Sequence, residues 1–376
     1  MQISYFENSA RKYHEGIKMK ICYIADAQSI HTQRWVKWFA EHGHEVHLIA
    51  EYPAELENVK IHLVKERGGV INFVRRTWQT MKTVKKIKPD ILHAHYVTGY
   101  GFFGAFSGFH PLIITAWGSD VLIDAKESFF KRVVVKYALR KADLITCDGE
   151  NMREAMTKLG ADSQKINIIY FGIDTQKFSP KQRSEKLREE LGISNSPMII
   201  SLRNLEPIYD IESLVKSVPL VLKDIPEAKF VIAGRGSREA ELKRLAKSIG
   251  VLDSIMFIGM IPNDELPQYL TSADIYVSTS LSDAGLAAST GEAMACGLPV
   301  IITDFGVNRE WVEDGKNGFI IPLKNPKALA EKIITLLGNE DLRTKFGKKN
   351  RKIIEERLNY YIEMEKMEKL YKELSR

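Results

Sequence analysis

The sequence predicts an α/β protein built from two doubly wound domains, each with a parallel sheet covered by helices on both faces. Short apolar runs of strand length alternate with segments of helical periodicity along almost the whole chain, a pattern typical of parallel sheets with crossover helices. The 376 residues suit two domains better than one. The alternation stops once, between Phe171 and Pro197, where the chain is polar and carries two prolines and two glycines.

The first half of the chain supplies one set of alternating elements. "KICYIAD" (Lys20–Asp26) is an apolar strand candidate that ends in an acid, and "TQRWVKWFAEHG" after it places its large apolar residues at helical spacing before Gly43. Helical segments separate most of the remaining strand candidates, which are "VHLIA", "VKIHLV", "DILHAH", "PLIITA", "ADLITC" and "INIIYF". This half therefore predicts one complete parallel sheet.

The alternation restarts after the polar segment. The strand candidates there are "MIISL", "AKFVIAG", "IMFIG", "ADIYVST" and "PVIIT". We expect a polar N-terminal extension (1–18), a first domain (19–175), a linker (176–196) and a second domain (197–355). The chain ends in a charged amphipathic helix at about 356–376, which the pattern allows on either domain. Ligands of such sheets bind at the carboxyl ends of the strands.

Composition and cysteine content narrow the class of protein. Hydrophobic residues make up 44% and charged residues 27% of the chain, and the net charge of +6 hints at an anionic ligand or surface. The three cysteines are far apart without metal-ligand spacing, which favours reduced thiols in a cytoplasmic protein. The most apolar stretch, Gly101–Thr115, is too short and interrupted to span a bilayer. The N-terminus lacks the apolar core of a signal peptide.

A run of small side chains in the second half indicates an anion site. It lies in "DAGLAASTGEAMACGLP" between two strand candidates, with Ser289 or Thr290 as the expected N-cap, Glu292 in the first turn and Gly297 as the left-handed terminator. The loop from Asp283 would present free backbone N–H groups at a helix start, which suits phosphate. A first-turn carboxylate would accept hydrogen bonds from sugar hydroxyls. Close packing of the helix on the sheet is the alternative explanation of the small residues.

The segment "GEAMACGLPVIITDFGVNREWVEDGKNGFIIP" resembles the signature of glycosyltransferase family 4, the retaining enzymes of the GT-B fold. "AEHGHEVHLIA", "PDILHAHY", "TAWGSDVL", "YFGIDTQKFSP", "FVIAGRGS" and "FIGMIPNDELPQYLTSADIYVSTS" resemble further motifs of that family in order and spacing. The resemblance covers the chain from about Met19 to the C-terminus. It implies a nucleotide-sugar donor bound mainly by the second domain, UDP-sugars being favoured. It also implies an acceptor on the first domain, a last helix packed back on the first domain, and no required metal or cofactor.

The resemblance also implies roles for individual donor-side residues. Glu292 matches the second acid of the paired-glutamate motif that holds the nucleotide ribose. Arg203 matches the arginine of the diphosphate-binding arginine–lysine pair, and Ser289 and Thr290 lie where hydroxyl and backbone groups reach the diphosphate. Gly259 matches a region that contacts the base, and the loop residues Asp283, Ala284 and Gly285 belong to the same donor site.

Two first-domain residues match positions near the reacting centre. His95 in "LHAHY" matches a histidine beside the transferred sugar. Asp120 in "WGSD" is a candidate acid on the acceptor or sugar side, with capping of a local turn as its alternative role. Transfer in the family is thought to occur on the donor's front face, with the leaving diphosphate helping to accept the acceptor proton. The protein then contributes orientation and charge stabilisation.

The chain departs from the family pattern at four places. Ala284 stands where the family keeps the first glutamate, so Asp283 is the candidate replacement. Ile208 stands in place of the lysine that partners Arg203, and Arg235 or Lys316 is a candidate substitute. The glycine-rich first loop is "AQSIH" here, and a tryptophan stands at position 117 where many members have histidine. These departures predict a divergent branch with its own donor contacts.

Two segments of the first half combine basic and aromatic residues. Residues 60–88 hold nine lysines and arginines, with Phe73 and Trp78 among them. The segment "FFKRVVVKYALRK" (Phe129–Lys141) also combines basic with aromatic residues. Such surfaces bind anionic lipid. An anionic membrane at the inner face of the cell is therefore an expected partner, and a solvated helix face is the alternative. No nucleic-acid recognition module is visible.

The expected function is transfer of a sugar from a nucleotide-sugar to a glycan, lipid-linked or other hydroxyl acceptor, in the synthesis of cell-surface polysaccharides or glycoconjugates. Two alternatives stay open. One is a sugar-nucleotide-binding partner subunit of the same fold with little activity, which the residues at 208 and 284 favour. The other is a sugar-nucleotide epimerase or hydrolase.

Overall fold

The computed structural model describes residues 18–64, 70–181, 183–283 and 285–375. The chain forms two compact units. Unit 1 takes the described residues up to Phe171 together with those from Ile362 onward, and unit 2 takes Gly172–Tyr361. The expected N-terminal extension lies outside the described residues except for Lys18.

Unit 1 is organised around one parallel sheet whose seven strands all coincide with apolar runs predicted above. The strands are β1 (Lys20–Ile24), β2 (Glu45–Ala50), β3 (Val59–Leu63), β4 (Ile91–His95), β5 (Leu112–Thr115), β6 (Leu144–Cys147) and β7 (Ile166–Ile168). Their order is β3-β2-β1-β4-β5-β6-β7. The direction of progression changes between β1 and β4, and the carboxyl ends of these strands mark the usual ligand position in such sheets.

Helices cover both faces of this sheet. They are α1 (Ile30–Glu41), α2 (Val70–Ile87), α3 (Phe102–Ser107), α4 (Ser119–Leu122), α5 (Asp124–Glu127), α6 (Phe129–Lys141), α7 (Glu150–Lys158) and, at the end of the chain, α16 (Tyr360–Leu374). Strands β4, β5 and β6 are buried along their whole length, which explains why none of them contains aspartate, glutamate, lysine or arginine.

The last helix is tied to unit 1 by buried polar contacts. The Tyr371 hydroxyl lies 2.9 Å from the Tyr23 hydroxyl of β1 and also bonds Nδ1 of His93 in β4. Glu363 accepts a hydrogen bond from the Tyr170 backbone N–H at 3.0 Å. Because these groups are buried, each needs its partner, and the amphipathic helix is fixed in place by more than its apolar stripe.

Unit 2 repeats the arrangement with six parallel strands. They are β8 (Met198–Ser201), β9 (Lys229–Ala233), β10 (Ile255–Gly259), β11 (Ile275–Ser278), β12 (Val300–Thr303) and β13 (Gly318–Ile321). Their order is β10-β9-β8-β11-β12-β13, so the switch point lies between β8 and β11. Strand β13 was not among the predicted strands, although it is as long as β8, β11 and β12.

The helices of unit 2 complete a second doubly wound layer structure, and the predicted α/β fold class is confirmed. They are α8 (Glu185–Glu190), α9 (Ile211–Asp224), α10 (Glu239–Ser248), α11 (Leu266–Ser272), α12 (Ala288–Ala295), α13 (Asn308–Trp311), α14 (Pro326–Leu337) and α15 (Glu340–Arg357). Within the described residues, no helix combines the length and the apolar character needed to cross a bilayer.

The polar segment 176–196, expected as a linker, belongs to unit 2 and contains α8. Arg188 of that helix is fully buried. Its guanidinium donates to the backbone carbonyls of Ser194 at 2.7 Å and Ser272 at 2.6 Å, and also to Ser196. A buried charge is tolerated when its donors are satisfied in this way. Arg188, a charged residue of this polar segment, thus connects loops of unit 2 through its hydrogen bonds.

Candidate active site

The switch point of unit 2 holds a buried arginine with several polar partners. Arg203 follows β8 and is 9% exposed. One of its terminal nitrogens donates to Asp283 Oδ1 at 2.5 Å and the other to Ser289 Oγ at 3.3 Å. Its guanidinium carbon lies 4.4 Å from the centre of the Tyr209 ring. Because Asp283 follows β11, this cluster joins the loops of the two strands that flank the switch point.

The cluster combines a cation, a carboxylate and unused donor capacity. Nε of Arg203 is buried and has no hydrogen-bond partner in the described structure. Burial raises the pKa of Asp283, while the charge of Arg203 and its hydrogen bond lower it. A buried donor without a partner costs free energy, and this one lies beside the start of α12. The arrangement fits an anionic ligand that would satisfy the donor.

Two glycines fix the backbone around Arg203. A Cβ on Gly234, whose φ is +151°, would lie 2.5 Å from the Arg203 carbonyl oxygen, and a Cβ on Gly236 would lie 2.3 Å from that of Leu205. No side chain fits at those distances. The loop after β9 can therefore approach the loop after β8, and the backbone N–H of Leu205 donates to the carbonyl of Arg235 at 3.0 Å. Sequence analysis named "FVIAGRGS" without recognising this role of its glycines.

The small-residue helix begins earlier than predicted. Helix α12 starts at Ala288, its N-cap is Ala287, and no side chain caps it. The predicted N-cap at Ser289 or Thr290 is therefore wrong, and Glu292 lies beyond the first turn. The physical reason is that the Ser289 hydroxyl is engaged elsewhere, with Arg203 and with the Tyr276 hydroxyl at 2.8 Å. The first backbone N–H groups of α12 are left without a side-chain cap, next to Arg203.

The small residues of this segment serve close packing of the helix at one position at least. A Cβ on Gly291 would lie 2.9 Å from side-chain carbons of Ile173, so this glycine serves close packing. Gly297 ends the helix with φ +79°, as predicted. Glu292 is half-buried on α12. Burial raises the pKa of the Cys296 thiol to about 12, and the charge of Glu292, one turn earlier, adds to this effect. Thr290 is buried within the helix, and Gly285 is half-buried in the loop before it. Ala284 lies outside the described residues.

The remaining donor-side candidates lie at two different edges of the unit 2 sheet. Gly259 ends β10 with φ +72°, and Nε of Arg235 lies 3.7 Å from where its Cβ would be. Arg235 follows β9 and is exposed, so both residues lie at the carboxyl edge. Lys316 precedes β13, at the opposite edge, and forms an ion pair with Glu313. Lys316 is therefore not placed to substitute for the missing lysine, whose position is taken by the exposed Ile208.

The switch point of unit 1 holds a buried aromatic cluster around His95. His95 ends β4, is fully buried, and neither of its ring nitrogens has a hydrogen-bond partner. Burial lowers its pKa to about 3, with a further contribution from His31, so the ring is neutral at physiological pH. The next residue, Tyr96, has φ +74°, a conformation that costs free energy in a non-glycine residue. The chain thus turns sharply away directly after His95.

His31 and Trp117 complete this cluster. The rings of His31 and Trp117 are 5.6 Å apart, and the Trp117 ring lies 5.8 Å from that of His95. His31 Nδ1 and Trp117 Nε1 are also buried without a partner, and burial lowers the pKa of His31 to about 4. Aromatic faces with nearby neutral donors and acceptors suit a polar, uncharged ligand. The sequence analysis missed His31, although it lies in the "AQSIH" loop that departs from the family pattern.

Asp120 is occupied by its own turn. Its carboxylate accepts hydrogen bonds from the backbone N–H groups of Val97 at 2.7 Å, Gly118 at 2.9 Å and Trp117 at 3.2 Å. Burial raises its pKa to about 6 against these hydrogen bonds. The contacts are those of the turn-capping alternative. Asp148, after β6, is a half-buried acid that was not among the predicted site residues. Its Oδ1 is buried without a hydrogen-bond partner in the described part of the chain, and burial raises its pKa to about 6.

The described residues contain no group of three or more histidine, cysteine, aspartate or glutamate side chains arranged to hold a metal ion. The three cysteines, Cys22, Cys147 and Cys296, are buried free thiols.

Comparisons with known proteins identify the family. Residues 183–353 match the family described as "Glycosyl transferases group 1", and residues 20–149 match "Glycosyl transferase 4-like". The two matches fall in unit 2 and unit 1. The chain belongs to this glycosyltransferase family, as the motifs predicted, and is a glycosyltransferase.

Individual relatives are distant. The chain is 23% identical to N-acetyl-alpha-D-glucosaminyl L-malate synthase of Bacillus anthracis, over 85% of this chain and 87% of that protein. It is 29% identical to spore coat protein SA of Bacillus subtilis (strain 168), over 56% of this chain and 59% of that protein's length. Among solved structures, Anabaena Alr3699/HepE in complex with UDP has a TM-score of 0.81 at 19% identity, covering 95% of this chain and all of that one. This likeness supports the GT-B fold.

Proposed function

We propose that the protein is a retaining hexosyltransferase that moves a sugar from a nucleotide-sugar, with UDP-sugars favoured, to a hydroxyl acceptor on a glycan or lipid-linked molecule. The observation that supports this proposal most directly is the buried Arg203 with an unpartnered Nε beside the uncapped start of α12. A cation and helix N–H groups together favour a diphosphate. The neighbours solved with UDP and with UDP-glucose favour a uridine nucleotide.

Each candidate residue has a place in this mechanism. Arg203, Ser289 and Thr290 bind the donor diphosphate, Glu292 holds the ribose and Gly259 lies on the base side. The loop residues Asp283 and Gly285 face the donor in this proposal, and Ala284 of the same segment lies outside the described residues. Arg203 stabilises the charge that develops on the leaving diphosphate, and an oxygen of that group accepts the acceptor proton. No metal is needed for these steps.

His95 acts in this proposal as a neutral hydrogen-bonding group for hydroxyls of the transferred sugar. Its lowered pKa argues against a role as a charged acid. Asp120 contributes by fixing the turn that carries Trp117, since its oxygens are taken by backbone N–H groups. Trp117 and His31 then offer ring faces to a sugar.

The binding test is calorimetry with UDP-, GDP-, ADP- and CMP-sugars, followed by measurement of nucleoside diphosphate release with a panel of acceptors. Arg203→Gln should weaken UDP binding at least tenfold, because a charge-assisted bond contributes about 1.5–3 kcal/mol. Arg244→Gln, an exposed arginine on α10, removes the same charge and should leave binding unchanged. Equal affinities for the two variants would contradict the proposal. Binding without nucleotide release by any acceptor would favour the partner-subunit alternative.

An anionic membrane surface is part of the proposal. Helix α2 packs on α3, and α3 packs on α6, so the two basic and aromatic segments lie on adjoining helices. Large apolar side chains are exposed on all three: Trp78 is 55%, Phe106 51% and Phe130 68% exposed. Basic residues with exposed aromatic ones are typical of interfacial surfaces. Lys65 and Arg67 of the first segment lie outside the described residues.

A further inference from the structure

A cavity in unit 1 lies apart from the candidate donor and sugar residues. Its volume is about 580 Å³, and it is formed by α4, α5, α6, α7 and the residues that join them. Helices α4 and α7 start directly after the regions at the carboxyl ends of β5 and β6. The cavity is therefore built by elements that begin at the edge of the sheet where His95 lies.

The charged residues that line this cavity are all basic. Lys126, Arg132 and Lys158 contribute the cations, and no acidic side chain lines it. Lys158 approaches Glu154 at 3.7 Å. Lys131 forms ion pairs with the carboxylates of Asp124 and Glu127 in α5. Among the described residues, Lys126 and Arg132 form no ion pair. Like charges brought together without acids favour an anion between them.

The floor and rim of the cavity are apolar. Val121, Ala125 and Leu159 are buried in its floor. Phe129 lies at the rim and is 85% exposed, and Val133, one helical turn later on α6, is 48% exposed. Water around such side chains is unfavourable. A free inorganic anion would use the bases and leave these apolar groups in water, whereas an amphiphile would use both.

We propose that this cavity binds the phosphate group of an anionic lipid, with Lys126 and Arg132 contacting the phosphate and Phe129 and Val133 entering the acyl region. The inference rests on the proposed function insofar as it gives the membrane surface a specific headgroup site. It adds a location: a lipid held here by its phosphate would place the membrane at the helices that start from the acceptor-side edge of the sheet. Bases beside exposed aromatic residues are the side chains that interfacial binding requires.

The test compares two double variants of the full chain in cosedimentation with vesicles. Lys126→Gln/Arg132→Gln alters the cavity, and Lys345→Gln/Lys348→Gln removes the same charge from exposed positions on α15 of unit 2. With phosphatidylcholine vesicles that contain phosphatidylglycerol, the cavity variant should lose binding about tenfold or more, and the control should change less than threefold. Phe129→Ser should also weaken binding, although it changes no charge. Circular dichroism of each variant checks that it is folded.

Three outcomes would overturn the inference. One is an equal loss in the two double variants, which would indicate only a general effect of net charge. Another is equal binding to vesicles with and without phosphatidylglycerol. The third is unchanged vesicle binding by Phe129→Ser, which would indicate that only the bases contribute and that the cavity is a free-anion site. Calorimetry with UDP in the absence of vesicles is the separate check on the donor site, and both double variants should keep that affinity.

Discussion

Replacing Asp283 with asparagine should have opposite effects on stability and on nucleotide affinity. In the ligand-free chain the Asp283 carboxylate bonds the Arg203 guanidinium, and the two side chains are 19% and 10% exposed. The family pattern places the donor diphosphate on this arginine. If the diphosphate takes the terminal nitrogen that bonds Asp283, in addition to the unpartnered Nε, we expect the free energy of the existing contact to be subtracted from that of donor binding.

The size of the effect follows from the change in hydrogen-bond type. A hydrogen bond that involves a charged group contributes about 1.5–3 kcal/mol. We place the bond between the guanidinium and the carboxylate at the upper end of that range and a bond from the guanidinium to an amide oxygen at its lower end. Asp283→Asn keeps the shape and a neutral acceptor, so the contact should weaken by about 1–2 kcal/mol. The free energy of unfolding of the ligand-free protein should fall by about that amount, while UDP should bind roughly 5- to 30-fold more tightly.

Calorimetry with UDP and urea unfolding without ligand measure these two quantities. The matched control is Asp274→Asn, which weakens a similar arginine–aspartate pair in unit 2, that of Arg183 and Asp274 at 2.5 Å. The control should lose stability and keep its UDP affinity. If UDP binds Asp283→Asn as weakly as or more weakly than the parent, Asp283 does not compete for Arg203. In that case its main role is to hold the guanidinium in place for the ligand.

Three further predictions concern other parts of the candidate site. Glu292→Gln should weaken UDP binding several-fold through loss of the ribose contact, and an unchanged dissociation constant in calorimetry would exclude that role. Gly236→Ala should weaken UDP binding about tenfold because its methyl group would lie 2.3 Å from a backbone oxygen, whereas Gly99→Ala, with no atom within 4 Å, should not. The ring of His95 should show no titration between about pH 5.5 and 8 in NMR spectra, since its pKa is about 3; an inflection near 6.5 would refute its burial.

The same histidine makes stability depend on pH. A lowered pKa in the folded state means that the unfolded chain binds more protons below about pH 6.5. The stability from neutral burial is thus fully present above that pH and is lost as the pH falls towards the folded pKa. The slope for one such histidine is about 1.4 kcal/mol per pH unit. His95→Asn should therefore flatten the loss of unfolding free energy between about pH 6 and 4.5 in urea titrations.

Local sequence patterns predicted the strands of the fold more accurately than the contacts of the candidate site. All seven strands of unit 1 could be located from their apolar runs, including β3, which is only partly buried. Strand β13, Gly318–Ile321, was missed although its run is as long as those of β8, β11 and β12. The start of α12 was predicted at the wrong residue because capping preferences reflect only the local sequence. The Ser289 hydroxyl is hydrogen-bonded to Tyr276 of β11, which the local sequence does not reveal. Side chains whose partners are distant in sequence are invisible to local reasoning.

The candidate site shows the same limit more sharply. Arg203 and His95 could be selected by their motif positions, but the bond from Arg203 to Asp283 spans 80 residues, and no spacing rule predicts it. His31 is the second residue of α1, in a segment that was expected to be a loop and was noted only for its lack of glycine. Its importance comes from burial next to Trp117. The contacts that distinguish this chain from the family pattern were those that required the three-dimensional structure.

The absence of a lysine at position 208 and the bond between Arg203 and Asp283 have a joint consequence for the donor site. With isoleucine at 208, Arg203 is the cation that the motif leaves for a diphosphate of two negative charges, and in the ligand-free protein its charge is already balanced. We therefore expect the backbone N–H groups at the start of α12 to add to the contribution of Arg203 to donor binding. Because these dipoles act over a short range, we also expect the small residues of the preceding loop to matter for binding, since they would allow the diphosphate to reach the backbone.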